Sequence, residues 1–210
     1  MTPDSIEKYG WISDEAPHSC NYLVPEAVEI LSGLNVRRVL DIGSGNGKLV
    51  SVLTDLGYEA VGVENDKGGV EISKSNYPGA SFYNYGVQDM PSELLHLEDA
   101  FDAVVSTEVI EHLYAPEMLL KYANSVLRDK GYLVVTTPYH GYLKNLALSL
   151  FNKWDFHHTS LWTGGHVKFW SRTTLQTLFE NNGFKVTGFA GVGRVPYLWK
   201  SMIMVAQKSD

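Results

Sequence analysis

An open α/β sheet with helices wound on both faces is the fold class this sequence predicts, and three observations predict it. Apolar runs of strand length alternate along the chain with segments of helical period. The run 101–106 has an unbroken apolar middle, as expected of a parallel strand buried on both faces. The strand at 37–42 runs directly into Gly43-Ser44-Gly45-Asn46-Gly47, a glycine-rich loop that enters a helix.

The elements follow in order. Pro25 is expected to open a short helix through Val28, Ile30, Leu31 and Leu34, weakened at its end by Gly33. After the first strand, Leu49, Val50, Val52, Leu53 and Leu56 fall at helical spacing until Gly57 stops them. A second strand at 59–64 ends on an acid, followed by a polar helix at 67–76 and a short strand at 81–85. The fourth strand, 101–106, leads to a helix opened by Pro116 and expected to close at Gly131. A fifth strand spans 132–137. Ser171 is placed to cap a helix over 173–182, with Gly183 beyond it. Strands at 184–189 and 200–206 are joined only by a Gly/Pro-containing connector, so they predict an antiparallel edge hairpin. The sheet thus has about seven strands and is mostly parallel. The whole of 1–210 reads as one domain, with 1–24 as an N-terminal cap and 139–166 as a helical insertion or lid after the fifth strand.

Composition narrows the function. A net charge of −7 disfavours a large nucleic-acid footprint, which needs a cationic surface. Cys20 is the single cysteine, which excludes an intrachain disulfide and a cysteine-rich zinc site. The first residues lack a basic region followed by an apolar one, and no apolar stretch approaches the ~20 residues of a membrane helix. A cytoplasmic location is therefore expected, with at most peripheral membrane contact.

The glycine loop and two acids point to a ligand. Alternate glycines allow a tight turn and close backbone approach. Lys48 stands where a dinucleotide fingerprint has its third glycine, and Asp41 would repel a pyrophosphate. Asp41 suits an ammonium or sulfonium instead, and Glu64 at the end of the second strand suits both hydroxyls of a ribose. Both features oppose a nicotinamide oxidoreductase.

On these residues the chain resembles the class I S-adenosylmethionine-dependent methyltransferases, over roughly residues 25–206. Asp41, Gly43, Ser44, Gly45 and Gly47 match the family's glycine motif, and Glu64, with Asn65 beside it, matches its ribose acid. Gln88, Asp89 and Met90 match the loop that meets the adenine, and Thr107 ends the segment matching the fourth strand. The resemblance implies a Rossmann-like fold, S-adenosyl-L-methionine as cofactor and S-adenosyl-L-homocysteine as product.

Glu108-Val109-Ile110-Glu111-His112 follows that strand, and its spacing is expected to place Glu108, Glu111 and His112 on one helical face, where they would suit a divalent cation such as Mg²⁺. The string is similar to that of ubiquinone-biosynthesis O-methyltransferases and of small-RNA terminal 2′-O-methyltransferases. The latter complete a metal site with a later histidine, and His166, followed by Val167, Lys168, Phe169 and Trp170, resembles it. Without metal, His112 or His140 is the candidate base.

In the insertion, Leu143, Leu146, Ala147, Leu150, Phe151 and Trp154 form an apolar helical stripe. It is expected to cover the site as a lid, with Tyr139, Tyr142, Trp154 and Trp162 lining an aromatic acceptor pocket, or to lie on a membrane. The leading reading is methylation of a hydroxyl on a small, partly apolar molecule. The alternatives are 2′-O-methylation of an RNA 3′ end and a non-catalytic S-adenosylmethionine-binding module.

Overall fold

The structure, a computed structural model, describes Trp11, Glu15, residues 17–158 and residues 161–209, with Phe156 described by its backbone alone. Much of the expected N-terminal cap, residues 1–10, 12–14 and 16, lies outside the described residues.

The elements in chain order are α1 (Cys20–Ser32), β1 (Arg38–Ile42), α2 (Lys48–Asp55), β2 (Glu59–Val63), α3 (Lys67–Asn76), β3 (Ser81–Tyr83), α4 (Pro91–Leu95), β4 (Phe101–Thr107), α5 (Glu117–Val126), β5 (Leu127–Pro138), α6 (Tyr142–Leu150), α7 (Trp154–His158), α8 (Arg172–Glu180), β6 (Phe184–Val192) and β7 (Ser201–Lys208). The seven strands form one sheet in the order β3-β2-β1-β4-β5-β7-β6. The first five are parallel, while β7 runs antiparallel between β5 and β6, as the connector composition requires.

Strand alternation divides the core into two layers. Leu40 and Ile42 of β1, Val104 of β4 and Met202 and Met204 of β7 face α4, α5 and α8. Val39, Val105 and Ile203 face the opposite way, onto α1, α2 and α3. Successive residues serve opposite faces, so both must be apolar, which is why these runs read as continuous rather than alternating.

Three expectations for individual elements are corrected. α1 begins at Cys20, so Pro25 lies inside it; the proline ring supplies no N–H for the Asn21 carbonyl, a loss confined to one bond near the helix start. α5 passes into β5 at Leu127 without a stop at Gly131, because β5 pairs with β4 from Leu127 onward across an irregularity between Phe101 and Ala103. The short helix α4, which the residues did not announce, starts with Pro91 at its first position.

The insertion departs furthest from expectation. Its helix is broken: α6 ends at Leu150, Asn152 takes a positive φ of 50°, and α7 begins at Trp154. The apolar stripe faces outward, with Leu150 and Phe151 more than 70% exposed and Leu143, Leu146 and Trp154 also exposed. The buried side chain of α6 is Lys144, at 4% exposure.

Candidate active site

At the carboxyl end of β1 the chain turns through Gly43, Gly45 and Gly47, each at a positive φ between 55° and 83°. The loop is tied to β2, since the N–H groups of Gly43 and Ser44 both donate to the Val63 carbonyl. Close approach also requires glycine: a Cβ on Gly43 would meet a Val109 methyl at 2.4 Å, and one on Gly45 would meet the Trp11 ring at 2.2 Å. Glu64 braces the same loop. Its two carboxylate oxygens accept from Gly45 N–H at 2.9 Å and Asp66 N–H at 2.8 Å.

Asp41 lies beneath this loop at 1% exposure, and its Oδ1 has no hydrogen-bond partner among the described residues. Burial, helped by the neighbouring Glu64 charge, pushes its carboxyl up to about 8. Burial also raises Glu64. A cleft of about 630 Å³ opens here, bounded by Asp41, Gly43, Gly45 and Trp11 on one side and by Glu108, His112 and His166 on the other, with Ser44 and Thr107 also in its wall.

The remaining loop residues gather elsewhere. Gln88 donates to Asn65 at 2.6 Å in an exposed pair, Asp89 accepts from Gly86 N–H at 2.7 Å, and Met90 is exposed. They flank the ends of β2 and β3, away from the cleft wall, while Gly47 packs behind the loop against Phe82.

After β4 the expected helical face does not form. Glu108 takes a positive φ of 54°, and residues Ile110–His112 make only a single 3-10 turn. Glu108 therefore turns toward β5 and β7, accepting from Thr136 Oγ1 at 3.0 Å and Ser201 Oγ at 3.3 Å. Burial pushes its carboxyl up to about 7. Glu111, His112 and His166 come together instead, with ligand atoms all within 4.8 Å of one another, and Glu108 lies outside that group.

His166 reaches the cluster because the Glu111 carbonyl accepts from the N–H groups of Val167 and Lys168. Glu111 Oε2 accepts from Thr137, whereas Oε1 is buried without a hydrogen bond among the described residues, 4.0 Å from Nε2 of both histidines. Burial, then the Glu108 charge, raises Glu111 well above the usual carboxylate range. His112 Nδ1 lies 2.7 Å from the Gly164 carbonyl oxygen. That oxygen can only accept, so Nδ1 carries a proton, and Nε2 is the ring nitrogen directed toward Glu111. An orphaned buried carboxylate oxygen with two converging imidazoles fits a divalent cation. With Glu108 absent, this nitrogen-rich set suits Mn²⁺, Co²⁺ or Zn²⁺ better than the expected Mg²⁺.

His140 stands apart, stacked 5.6 Å from His158 and edge-on to Phe169. Burial and the Lys144 charge lower it to about 3, which makes it a weak base. The expected aromatic pocket is likewise dispersed: Tyr139 packs on Trp199, Tyr142 is exposed, Trp154 lies on His158, and only Trp162 of the four lines the cleft. Sequence reasoning did not place Trp11 over Gly45, Cys20 in the cleft wall, or Lys144 inside.

A family model described as "Methyltransferase domain" matches residues 16–188. The mitochondrial ubiquinone biosynthesis O-methyltransferase of Rattus norvegicus is 29% identical over 174 residues, covering 80% of this chain and 49% of the relative. The ubiquinone biosynthesis O-methyltransferase of Azorhizobium caulinodans is 28% identical over 160 residues, covering 74% of this chain and 61% of the relative. The chain therefore spans about half to three-fifths of the length of these relatives. Among solved structures, a magnesium protoporphyrin IX methyltransferase from Synechocystis with bound SAH aligns with a TM-score of 0.64 at 16% identity, covering 89% of this chain and 82% of that one. A putative methyltransferase from Bacillus halodurans aligns with a TM-score of 0.67 at 13% identity, covering 89% and 99%. At such identities the structures share the fold.

Asp41 yields a stability prediction. An unfolded aspartate titrates near 3.9, whereas the folded group is raised to about 8. Between those values the folded state holds the extra proton, so stability falls as pH rises. Ligand-free Asp41→Asn should therefore melt above wild type, by a margin that is small at pH 5 and widens toward pH 8. Thermal unfolding monitored by circular dichroism across that range checks this, and a margin independent of pH would remove the assigned cause.

Proposed function

The chain belongs to the class I methyltransferase-domain family, and on that premise we propose that it transfers a methyl group from S-adenosylmethionine to a hydroxyl oxygen of a small, partly apolar acceptor. The observation that carries this reading is the unpartnered Asp41 Oδ1, buried in the cleft wall beneath the glycine loop. An isolated buried carboxylate is costly unless it is paired, and the ammonium of an S-adenosylmethionine methionine tail is a suitable partner. Glu64 fits the ribose hydroxyls, because a carboxylate has acceptor capacity beyond its two loop bonds.

Methyl transfer depends on bringing the nucleophile into line with the methyl carbon, so positioning supplies much of the effect. The Glu111–His112–His166 group lies across the cleft from the glycine loop, where it would orient the acceptor hydroxyl. A divalent cation bound there would lower the pKa of the coordinated hydroxyl. Thr137 and the Gly164 carbonyl hold Glu111 and His112 in the orientation this requires. The place of His112 and His166 in the cleft wall, which His140 does not share, favours the Glu111–His112–His166 group over His140 as the place where the proton leaves. The names of the ubiquinone biosynthesis relatives support oxygen as the acceptor atom. The net charge of −7 weighs against an RNA end.

A second reading concerns where the acceptor is found. No described helix is long and apolar enough to cross a membrane. Ala147 and Phe151 of the α6 stripe nevertheless share an apolar recess of about 470 Å³ with exposed Val195 and Leu198 of the β6–β7 connector. Such a collar suits shallow contact with a lipid surface or with the apolar part of an acceptor.

Three outcomes are expected. Glu64→Gln and Asp41→Asn should each weaken S-adenosylhomocysteine binding by roughly 1–3 kcal/mol in calorimetry, the scale of a lost hydrogen bond to a charged group. Unchanged affinity in both variants would remove the cofactor assignment. EDTA should abolish transfer of labelled methyl, with recovery greatest on adding Mn²⁺ or Co²⁺; full activity in chelator would leave His112 as a metal-free base. Finally, wild type should sediment with liposomes and a Leu146→Ser/Phe151→Ser double variant should not, with cofactor affinity preserved in both. Equal sedimentation would assign the stripe to something other than lipid.

A further inference from the structure

Beyond Glu108 and His166 the cleft adjoins a second, polar cavity of about 270 Å³ for which the steps above have no use. Three cationic side chains line it: Lys144 from the inner face of α6, Arg194 from the β6–β7 connector, and Lys200 immediately before β7. His140, His157 and His158 complete that wall. Such convergence is unexpected on a chain with a net charge of −7.

Lys144 is the informative member. It is 4% exposed, and its one hydrogen bond among the described residues runs from Nζ to the Lys200 carbonyl at 3.2 Å. An ammonium has three donors, and burying one incompletely paired is costly. Burial and the Arg194 charge lower it to about 8. Burial and the Lys144 charge in turn lower His157 to about 4, so the rings near it are neutral at pH 7. His158 Nε2 is also buried without a partner. The acid facing this group is Glu108, both of whose oxygens already accept hydrogen bonds. Lys144 therefore has donors left over among the described residues, facing a carboxylate that already accepts two hydrogen bonds.

We propose that this cavity holds an oxyanion carried by the acceptor itself, a carboxylate or a phosphate paired with Lys144, Arg194 and Lys200, so that the protein selects acidic acceptors. The proposal rests on the methyl-transfer reading. Glu108 and His166 line both cavities, so one small molecule can reach from the hydroxyl-orienting group to the cations. Arg194 is exposed and sits beside the apolar recess under α6, which leaves a route for an apolar tail.

Calorimetry with benzoate, phenyl phosphate and phenol tests this on protein with and without S-adenosylhomocysteine. At least one anion should bind about tenfold or more tightly than phenol, the scale of a charge-assisted hydrogen bond, and the tighter anion identifies the oxyanion. Lys144→Met should bring the anions to within about threefold of phenol, and Arg194→Gln, at an exposed position, should weaken them in the same direction. Equal binding of phenol and both anions to wild type overturns the proposal, as does a preference that survives Lys144→Met and Arg194→Gln. Titration of S-adenosylhomocysteine alone reports separately on the methyl-transfer reading, and anion binding without it would overturn the assignment of the anion to an acceptor.

Discussion

The pairing of β1 with β4 is the constraint on which the site depends. β1 continues through its loop and α2 to β2 on one side, whereas β4 continues through α5 to β5 on the other. The two connections leave their strands in opposite directions, and a crevice opens between them beyond the carboxyl ends. Asp41 and the glycine loop form one wall of that crevice; Thr107, Glu108 and His112 form the other. A single register, with Val39 opposite Ala103 and Asp41 opposite Val105, brings the two walls level. Ser106 secures it further by donating from its hydroxyl to the Ile42 carbonyl at 2.9 Å.

The crevice is electrostatically divided. Asp41, Glu64, Glu108 and Glu111 all have raised carboxyls because folding removes them from water. The neighbouring half, behind His166, carries Lys144 with neutral imidazoles, the half-buried Lys200 and the exposed Arg194. These groups stabilise each other only partly, since Lys144 bonds to a carbonyl and Asp41 Oδ1 has no hydrogen-bond partner among the described residues. Burying ionisable groups without full partners costs stability, and such a cost is common where a site is built for ligands of opposite charge. The two halves thus suit different charges: a cationic tail under the glycine loop and an anionic group beneath α6.

α6 shows how an amphipathic pattern can be legible while its orientation is not. Its apolar residues do share one face, as the spacing of Leu143, Leu146 and Leu150 requires. Helical period identifies which residues lie together, not which way they point. Lys144 faces inward because the Lys200 carbonyl accepts from it and the polar cavity surrounds it, and neither feature is visible near residue 144 in the chain.

The residues alone determined the alternating α/β architecture, the antiparallel edge, the glycine loop and the places of Asp41 and Glu64 at the ends of β1 and β2. Each of these rests on local chemistry: strand runs apolar on both faces, loop glycines at positive φ, and acids at strand ends. The pairing of Glu111 with His166 was also legible in outline, through its resemblance to known methyltransferases. Tertiary structure decided the rest. Glu108 left its expected helical face because Thr136 and Ser201, far along the chain, offer hydroxyl donors that the local helix would forgo. Asn65 and Gln88 were drawn into a hydrogen bond with each other at the ends of β2 and β3, and Trp11 came to cover Gly45. In each case the partner is distant in sequence, and a side chain's environment is set by that partner rather than by its neighbours in the chain.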